Sequence, residues 1–438
     1  MEDGVITRRR FILGISAGSA ATLLAACGGA TTPAASSTTS APAPTASAKP
    51  TAVTGGASPA PAASAVTATS PTSQAAKAAT APTSAASGQP VWYGVSGPFS
   101  GDNAEYGRIW KQAMAMALDE INGKGGVKGR QVQLDYEDTQ SDPKQSVPVA
   151  QKFVDDTRLL AELGDFSSPS SMAASPIYER AKMVQFGFTN SHPDFTKGGE
   201  YMFSIVLTQQ QDAAFLAETA FKGLGKKQAV LYQDTDWGKT TQQIYVDQIK
   251  ALGGDVVHTD NYLATEKDFK PILAKVQAAK PDVLALISYY NDGALIVQQA
   301  KDMGLQTKVV ANGACYSPQF LKLGGDATNG VVLTTVFFPN NPRPEVQQFV
   351  NNYNQRYKEL PDQFAALAYD AVKIITWATN QGGFDRVAIQ KAMATGTDIP
   401  SVIYGPFKFG ADRRVENAKA VPIQVQNGKF VPYTPTAS

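Results

Sequence analysis

The chain has 438 residues, with 39 Lys and Arg against 38 Asp and Glu for a net charge of +1. That length suits two or three domains, and the balanced charge argues against a nucleic-acid partner, which leaves a clustered basic surplus. Cysteine occurs only at Cys27 and Cys315 and histidine only at His192 and His258, which excludes a disulfide framework and most cysteine- or histidine-based metal centres.

The N-terminus runs Thr7-Arg8-Arg9-Arg10-Phe11 into an apolar, small-residue stretch that reaches Ala26. It is too short and too rich in Gly, Ser and Ala to span a bilayer, so residues 1–27 read as an export signal. The arginines before Phe11 resemble a twin-arginine signal, and Leu24-Ala25-Ala26-Cys27 resembles a lipobox, whose cleavage leaves Cys27 as a lipidated first residue. The alternative is an ordinary secretory signal with a chance cysteine. Residues 28–89 form a linker of Ala, Ser, Thr and Pro in which Lys49 and Lys77 are the charged residues. Such a composition cannot offset the entropy of ordering and predicts a disordered tether with a reach on the order of 40–50 Å.

From Val91 the pattern changes. A strand over 91–95 breaks at Ser96-Gly97-Pro98, and a helix over 106–122 places Ile109, Ala113, Met116, Ala117 and Ile121 on one stripe. A Gly-rich turn over 123–129 and a strand over 131–136 complete a strand–helix–strand unit, for which a right-handed crossover is expected. Helices over 145–156, 170–182, 212–223, 239–252, 270–279 and 293–303 then alternate with strands over 159–166, 184–188, 228–232, 255–262, 282–288 and 307–311. This alternation predicts parallel sheets covered on both faces, and about 345 residues exceed what one core holds, so two lobes are expected. A final hairpin, 421–425 with 429–433, turns at Asn427-Gly428.

Ser96-Gly97-Pro98, Tyr106-Gly107, Ile121-Asn122, Gly125-Gly126-Val127-Lys128-Gly129 and Asp142-Pro143-Lys144 follow one another at the spacing of a known family. The chain resembles the leucine/isoleucine/valine-binding proteins, the type I periplasmic solute-binding proteins of ABC importers. The resemblance implies an α/β fold of two doubly wound parallel-sheet lobes joined by hinge strands near 207, 336 and 405. Residues 90–207 with 337–405 would form lobe 1, and 208–336 with 406–438 lobe 2. It also implies a monomer that takes up a small polar solute by hinge closure, without cofactor or metal, and delivers it to an importer's permease and ATPase. An amino acid, an amide or an aromatic carboxylate would fit such a site. A binding protein that feeds a sensor is the alternative.

In open parallel sheets, ligands sit beyond the carboxyl ends of strands, where helix N-termini point. Ser167-Ser168-Pro169-Ser170-Ser171 is a hydroxyl-rich helix entry suited to a carboxylate, although Ser167 or Ser168 could equally be an N-cap. The resemblance assigns Ser168 to the ligand carboxylate and Thr189-Asn190-Ser191 to a second polar loop. It places Tyr106, Trp237 and Tyr289 around the ligand side chain. One departure stands out: Gly313 falls where the amino-acid binders carry a Glu for the ligand ammonium. An unpaired ammonium in a closed cleft is costly, so either Asp165, Asp234 or Asp292 substitutes or the ligand is not an α-amino acid.

No enzyme is expected. The glycines around Gly125 end a helix instead of opening one, which is wrong for a dinucleotide fingerprint, and no phosphate-loop or zinc-protease pattern occurs. His192 reads as a solvated loop residue, His258 as structural, and Cys315 as a small thiol.

Overall fold

The computed structural model describes residues 88–435. The signal peptide, Cys27, all but the end of the linker, and residues 436–438 lie outside the described residues. The first lobe opens with β1 (Val91–Gly97), α1 (Ala104–Gly123), β2 (Val132–Asp138), α2 (Pro143–Asp155), β3 (Leu159–Leu163), α3 (Ser168–Arg180), β4 (Val184–Phe186) and β5 (Met202–Phe203). Its strands pair in parallel in the order β2-β1-β3-β4-β5. The predicted stripe of α1 is buried from Ile109 to Ile121.

The second lobe repeats the winding with α4 (Gln209–Gly223), β6 (Lys227–Gln233), α5 (Asp236–Ala251), β7 (Asp255–Tyr262), α6 (Lys270–Ala279), β8 (Val283–Ile287), α7 (Tyr290–Asp302), β9 (Lys308–Ala311), α8 (Pro318–Gly324) and β10 (Val332–Thr335). Its parallel order, β7-β6-β8-β9-β10, reproduces that of the first sheet. The central strand β8 shows why both faces are covered. Val283, Ala285 and Ile287 join the cluster under α4 and α5, while Leu284 and Leu286 join the core on the other face.

The chain then returns to the first lobe through α9 (Pro344–Tyr357), α10 (Gln363–Gly382) and α11 (Arg386–Thr395), with α10 packed on α1 and α11 on α10. It ends in the second lobe with β11 (Val421–Gln426) and β12 (Lys429–Pro432), an antiparallel hairpin on the edge of β10 that makes this sheet mixed. Asn427 and Gly428 have φ of 49° and 70°, as a type I′ turn requires. One boundary differs from the sequence reading. The third crossing, expected near 405, comes after Val415. Phe409 packs on Phe186 and Phe203 at 6.2 and 5.1 Å, and Arg414 bridges to Ser204, so these residues belong to the first lobe.

Glu162 on β3 is fully buried. Its Oε1 accepts from the Ser96 hydroxyl at 2.6 Å and its Oε2 has no partner. Burial pushes this carboxyl from 4.5 up to about 8. Between those values the unfolded chain has lost a proton that the folded chain keeps, so stability falls as pH rises across the window. Glu162→Gln is therefore expected to raise stability at pH 8 by about 1–3 kcal/mol, with the gain shrinking toward pH 4.5. Thermal denaturation against pH checks this, and a pH-independent difference would contradict it.

Candidate functional site

A cavity of about 70 Å³ lies between the lobes, beyond the carboxyl ends of β3, β4, β6, β8 and β9, as the winding dictates. The first lobe contributes Phe166, Ser168, Thr189, Ser191, Gln363 and Phe364, and the second contributes Gln209, Asp212, Trp237, Tyr289 and Gly313. Ser168, Thr189, Ser191, Trp237, Tyr289 and Gly313 thus line one cavity. Tyr106 and Asn190 do not line the cavity.

Hydrogen-bond polarity distinguishes the three hydroxyls. Ser167 is the N-cap of α3, accepting from the Ser170 N–H, which leaves Ser168 facing the cavity. Ser168 Oγ accepts the His192 N–H at 3.3 Å, and Ser191 Oγ accepts the Trp237 indole N–H at 3.2 Å. Each therefore keeps its own hydrogen for an acceptor in the cavity. Thr189 Oγ1 instead donates to the Phe166 carbonyl at 3.0 Å and offers lone pairs. With Ser168 at the start of α3 and Ser191 on the loop after β4, the two free hydroxyl hydrogens suit the first-lobe wall to an anionic oxygen.

Asn190 serves as an anchor for the loop. Its Nδ2 donates to the Asp165 carbonyl at 2.8 Å, and its own carbonyl accepts from Ser204 Oγ and from Arg414 at 3.0 Å each. Arg414 also reaches the His192 carbonyl at 2.6 Å. The buried guanidinium thus fixes the whole 190–192 turn, a role that its position far along the chain hid from sequence reasoning.

Aromatic rings form the remaining wall. Trp237 stacks on Tyr289 with centroids 5.1 Å apart and planes 9° apart. Tyr106 stacks behind Phe166 at 4.1 Å, so Phe166 and Phe364 cover the cavity where Tyr106 was expected. The Tyr106 hydroxyl instead joins the lobes, donating to the Ala314 carbonyl at 2.6 Å and accepting the Tyr290 N–H at 3.3 Å. Further contacts across the cleft are Tyr290 Oη to the Asp102 carbonyl at 2.9 Å, His192 Nε2 with Thr240 Oγ1 at 3.2 Å, and the Gln363 amide to the Gly313 carbonyl. The lobes are closed on one another.

The sequence model of the family described as periplasmic binding protein matches residues 90–429. The chain belongs to the periplasmic binding protein family. This family binds solutes, and the chain is a binding protein, not an enzyme. This periplasmic binding protein is 29% identical over 367 residues to Leu/Ile/Val-binding protein homolog 8 of Brucella abortus, covering 79% of this chain and 90% of that one. It resembles the branched-chain amino acid transporter substrate binding protein of Streptococcus pneumoniae, solved in complex with isoleucine. There the TM-score is 0.73 at 25% identity, over 78% of this chain and 97% of that one. A solute binding protein of an ABC transporter from R. palustris, solved with benzoate, shares the fold at a TM-score of 0.73 and 20% identity, over 78% and 95% of the two chains.

None of the acids singled out as substitutes for a Glu at 313 lines the cavity of this periplasmic binding protein. Asp165 is consumed by the hydroxyls of Thr139, Ser141 and Ser146, the latter two at 2.7 and 2.8 Å. Asp234 pairs with Lys239 at 2.6 Å, and Asp292 accepts from Gln233 at 2.9 Å. The acid in the cavity is Asp212, which sequence reasoning did not name. Its Oδ1 accepts from Thr334 Oγ1 at 2.6 Å. Burial raises this carboxyl, opposed by the Thr334 hydroxyl and the Gly313 N–H. His192 is buried, not solvated. Its Nδ1 accepts the Asp194 N–H at 3.2 Å and burial lowers its pKa, so it stands neutral as a contact between the lobes. Cys315 is a buried thiol pushed up to about 12 by desolvation. Among the described residues, no group of three or more His, Cys, Asp or Glu is placed to hold a metal ion.

Because Tyr106 joins the lobes without lining the cavity, Tyr106→Phe is expected to weaken every ligand by the same factor, at a cost of about 1 kcal/mol. Calorimetric titration with ligands of different side chains checks this. An effect confined to one ligand would show that Tyr106 touches it.

Proposed function

We propose that this chain captures a small organic carboxylate between its lobes and delivers it to an ABC importer, from a tether at the outer face of the cell membrane. The observation that carries this reading is the pair of hydroxyls, Ser168 at the start of α3 and Ser191 on the loop after β4, whose hydrogens remain uncommitted inside a closed cavity. Neutral donors at a helix N-terminus stabilise a carboxylate without a cation. The ligands of the two solved relatives, isoleucine and benzoate, differ in everything except a carboxylate beside an apolar body. The walls here offer the matching pair of surfaces, hydroxyls on one side and Phe166, Trp237, Tyr289 and Phe364 on the other.

Closure supplies the signal to the transporter. A solute that bridges Ser168 of one lobe and the aromatic pair of the other binds the closed form better than the open one and shifts the population toward it. The Arg8-Arg9-Arg10-Phe11 and Leu24-Ala25-Ala26-Cys27 motifs support export and lipidation at Cys27, and the 28–89 linker supports a tether long enough to let the lobes reach a permease.

Two outcomes are expected. A thermal-shift screen of amino acids, aromatic acids and their uncharged amides should find stabilisation by carboxylates, and Ser168→Ala should weaken those that bind by about 1–3 kcal/mol. Unchanged affinity would remove Ser168 from the site. Cys27→Ser should move the protein from the membrane to the soluble fraction, and retention on membranes would remove the lipid anchor.

A further inference from the structure

A second cavity, of about 490 Å³, opens where the chain crosses from the second lobe back to the first. Tyr316, Leu321 and Phe430 line it from the second lobe, Leu360 and Asp362 from the first, and Phe338 from the crossing itself. It shares no lining residue with the solute cavity, and its size suits a small organic molecule. The walls favour an apolar body. Phe430 packs edge-on against Tyr316 with centroids 4.6 Å apart, and Leu360 is 57% exposed, which leaves aliphatic surface open to an occupant.

One polar group in this lining is incompletely bonded. Asp362 is 3% exposed and caps α10, its Oδ1 accepting the Ala365 N–H at 2.9 Å. The Ala365 and Phe364 N–H groups favour its ionised form, yet Oδ2 is buried with no hydrogen-bond partner. The charges nearby are engaged elsewhere. Glu105 on α1 and Glu359 on the same loop both repel a charge on Asp362, and both are paired with Arg108, at 2.7 and 2.9 Å. Tyr316 and Tyr353 face it as neutral phenols, since burial raises both. Lys429 of the lining is exposed to solvent, and among the described residues it forms no ion pair with Asp362. A buried carboxylate oxygen without a partner, beside an apolar wall, calls for a donor that carries positive charge.

We propose that this cavity is a second ligand site, separate from the solute site, for a small primary amine with an apolar body, whose ammonium meets Asp362 Oδ2 while the body lies against Leu360 and the Tyr316–Phe430 pair. Both lobes supply its walls, so an occupant that binds the closed arrangement better than the open one holds the lobes together. Asp362 also begins the helix whose next two residues, Gln363 and Phe364, line the solute cavity. The start of α10 therefore connects the two sites, and any effect of one ligand on the affinity of the other is reciprocal.

Calorimetric titration of the purified full-length protein with 2-phenylethylamine and 2-phenylethanol, which share a body and differ in the end group, tests this. The amine is expected to bind saturably and roughly tenfold or more tighter than the alcohol. Asn caps a helix as well as Asp does, so Asp362→Asn should keep the fold, bring the amine down to the affinity of the alcohol and leave the alcohol within about twofold. Leu360→Ala, at an exposed position, should weaken amine and alcohol by the same factor. Amine affinity of the wild type should also fall roughly tenfold from pH 8 to pH 6, because burial pushes Asp362 up to about 7 and the ligand stays charged while its partner gains a proton. This arm needs no variant. No binding of the amine at millimolar concentration, equal affinity for amine and alcohol, an Asp362→Asn or Leu360→Ala variant that binds the amine as the wild type does, or a flat pH profile overturns the second site. The carboxylate reading of the solute cavity stands in each of those outcomes.

Discussion

Asp212 is a carboxylate in a cavity whose lining holds no Lys, Arg or His. Burial without a counter-charge in the lining disfavours its ionised form, opposed by the Thr334 hydroxyl and the Gly313 N–H. The hydroxyls of the opposite wall have the reverse need, since Ser168 and Ser191 hold hydrogens that seek an acceptor. A solute carboxylate would satisfy the first-lobe hydroxyls, and the aromatic rings of both lobes would cover its apolar body. Lobe closure and ligand recognition are in this sense one event.

The architecture brings those two walls face to face. Two sheets wound in the same order each open a crevice at the carboxyl ends of their strands, and three chain crossings hold the crevices opposite one another. The polar loops are fixed by buried groups drawn from remote parts of the chain. Arg414 holds the 190–192 carbonyls, and Asp165 gathers the hydroxyls of Thr139, Ser141 and Ser146 beneath the start of α3. These networks position the ligand-facing hydroxyls without touching the cavity.

Much of the fold was legible because its signals are local. The α1 stripe, the alternation of apolar strands with amphipathic helices, and the Asn427-Gly428 turn each depend on neighbours within a few residues. Among the segments left unnamed are α8, β10, α9 and α11, which are short, Pro-led or weakly apolar in sequence. At the site, Ser168, Trp237 and Tyr289 were accessible because they follow strand ends. Tyr106 was misplaced because nothing in the sequence announces that Phe166 stacks in front of it. Asp212 was missed through an element boundary. The helix was expected to begin at 212, whereas the Thr208 and Gln211 capping box starts it at Gln209. That Thr-x-x-Gln signal was present, and it would have set Gln209 and Asp212 together in a first turn beside the hinge.

A crystal structure with a stabilising amino acid bound tests the central claim most directly. The account predicts the carboxylate against Ser168 and Ser191 and the apolar body between Phe166 and the Trp237–Tyr289 pair. A ligand held with its carboxylate away from these hydroxyls, or bound outside the interlobe cavity, would contradict it.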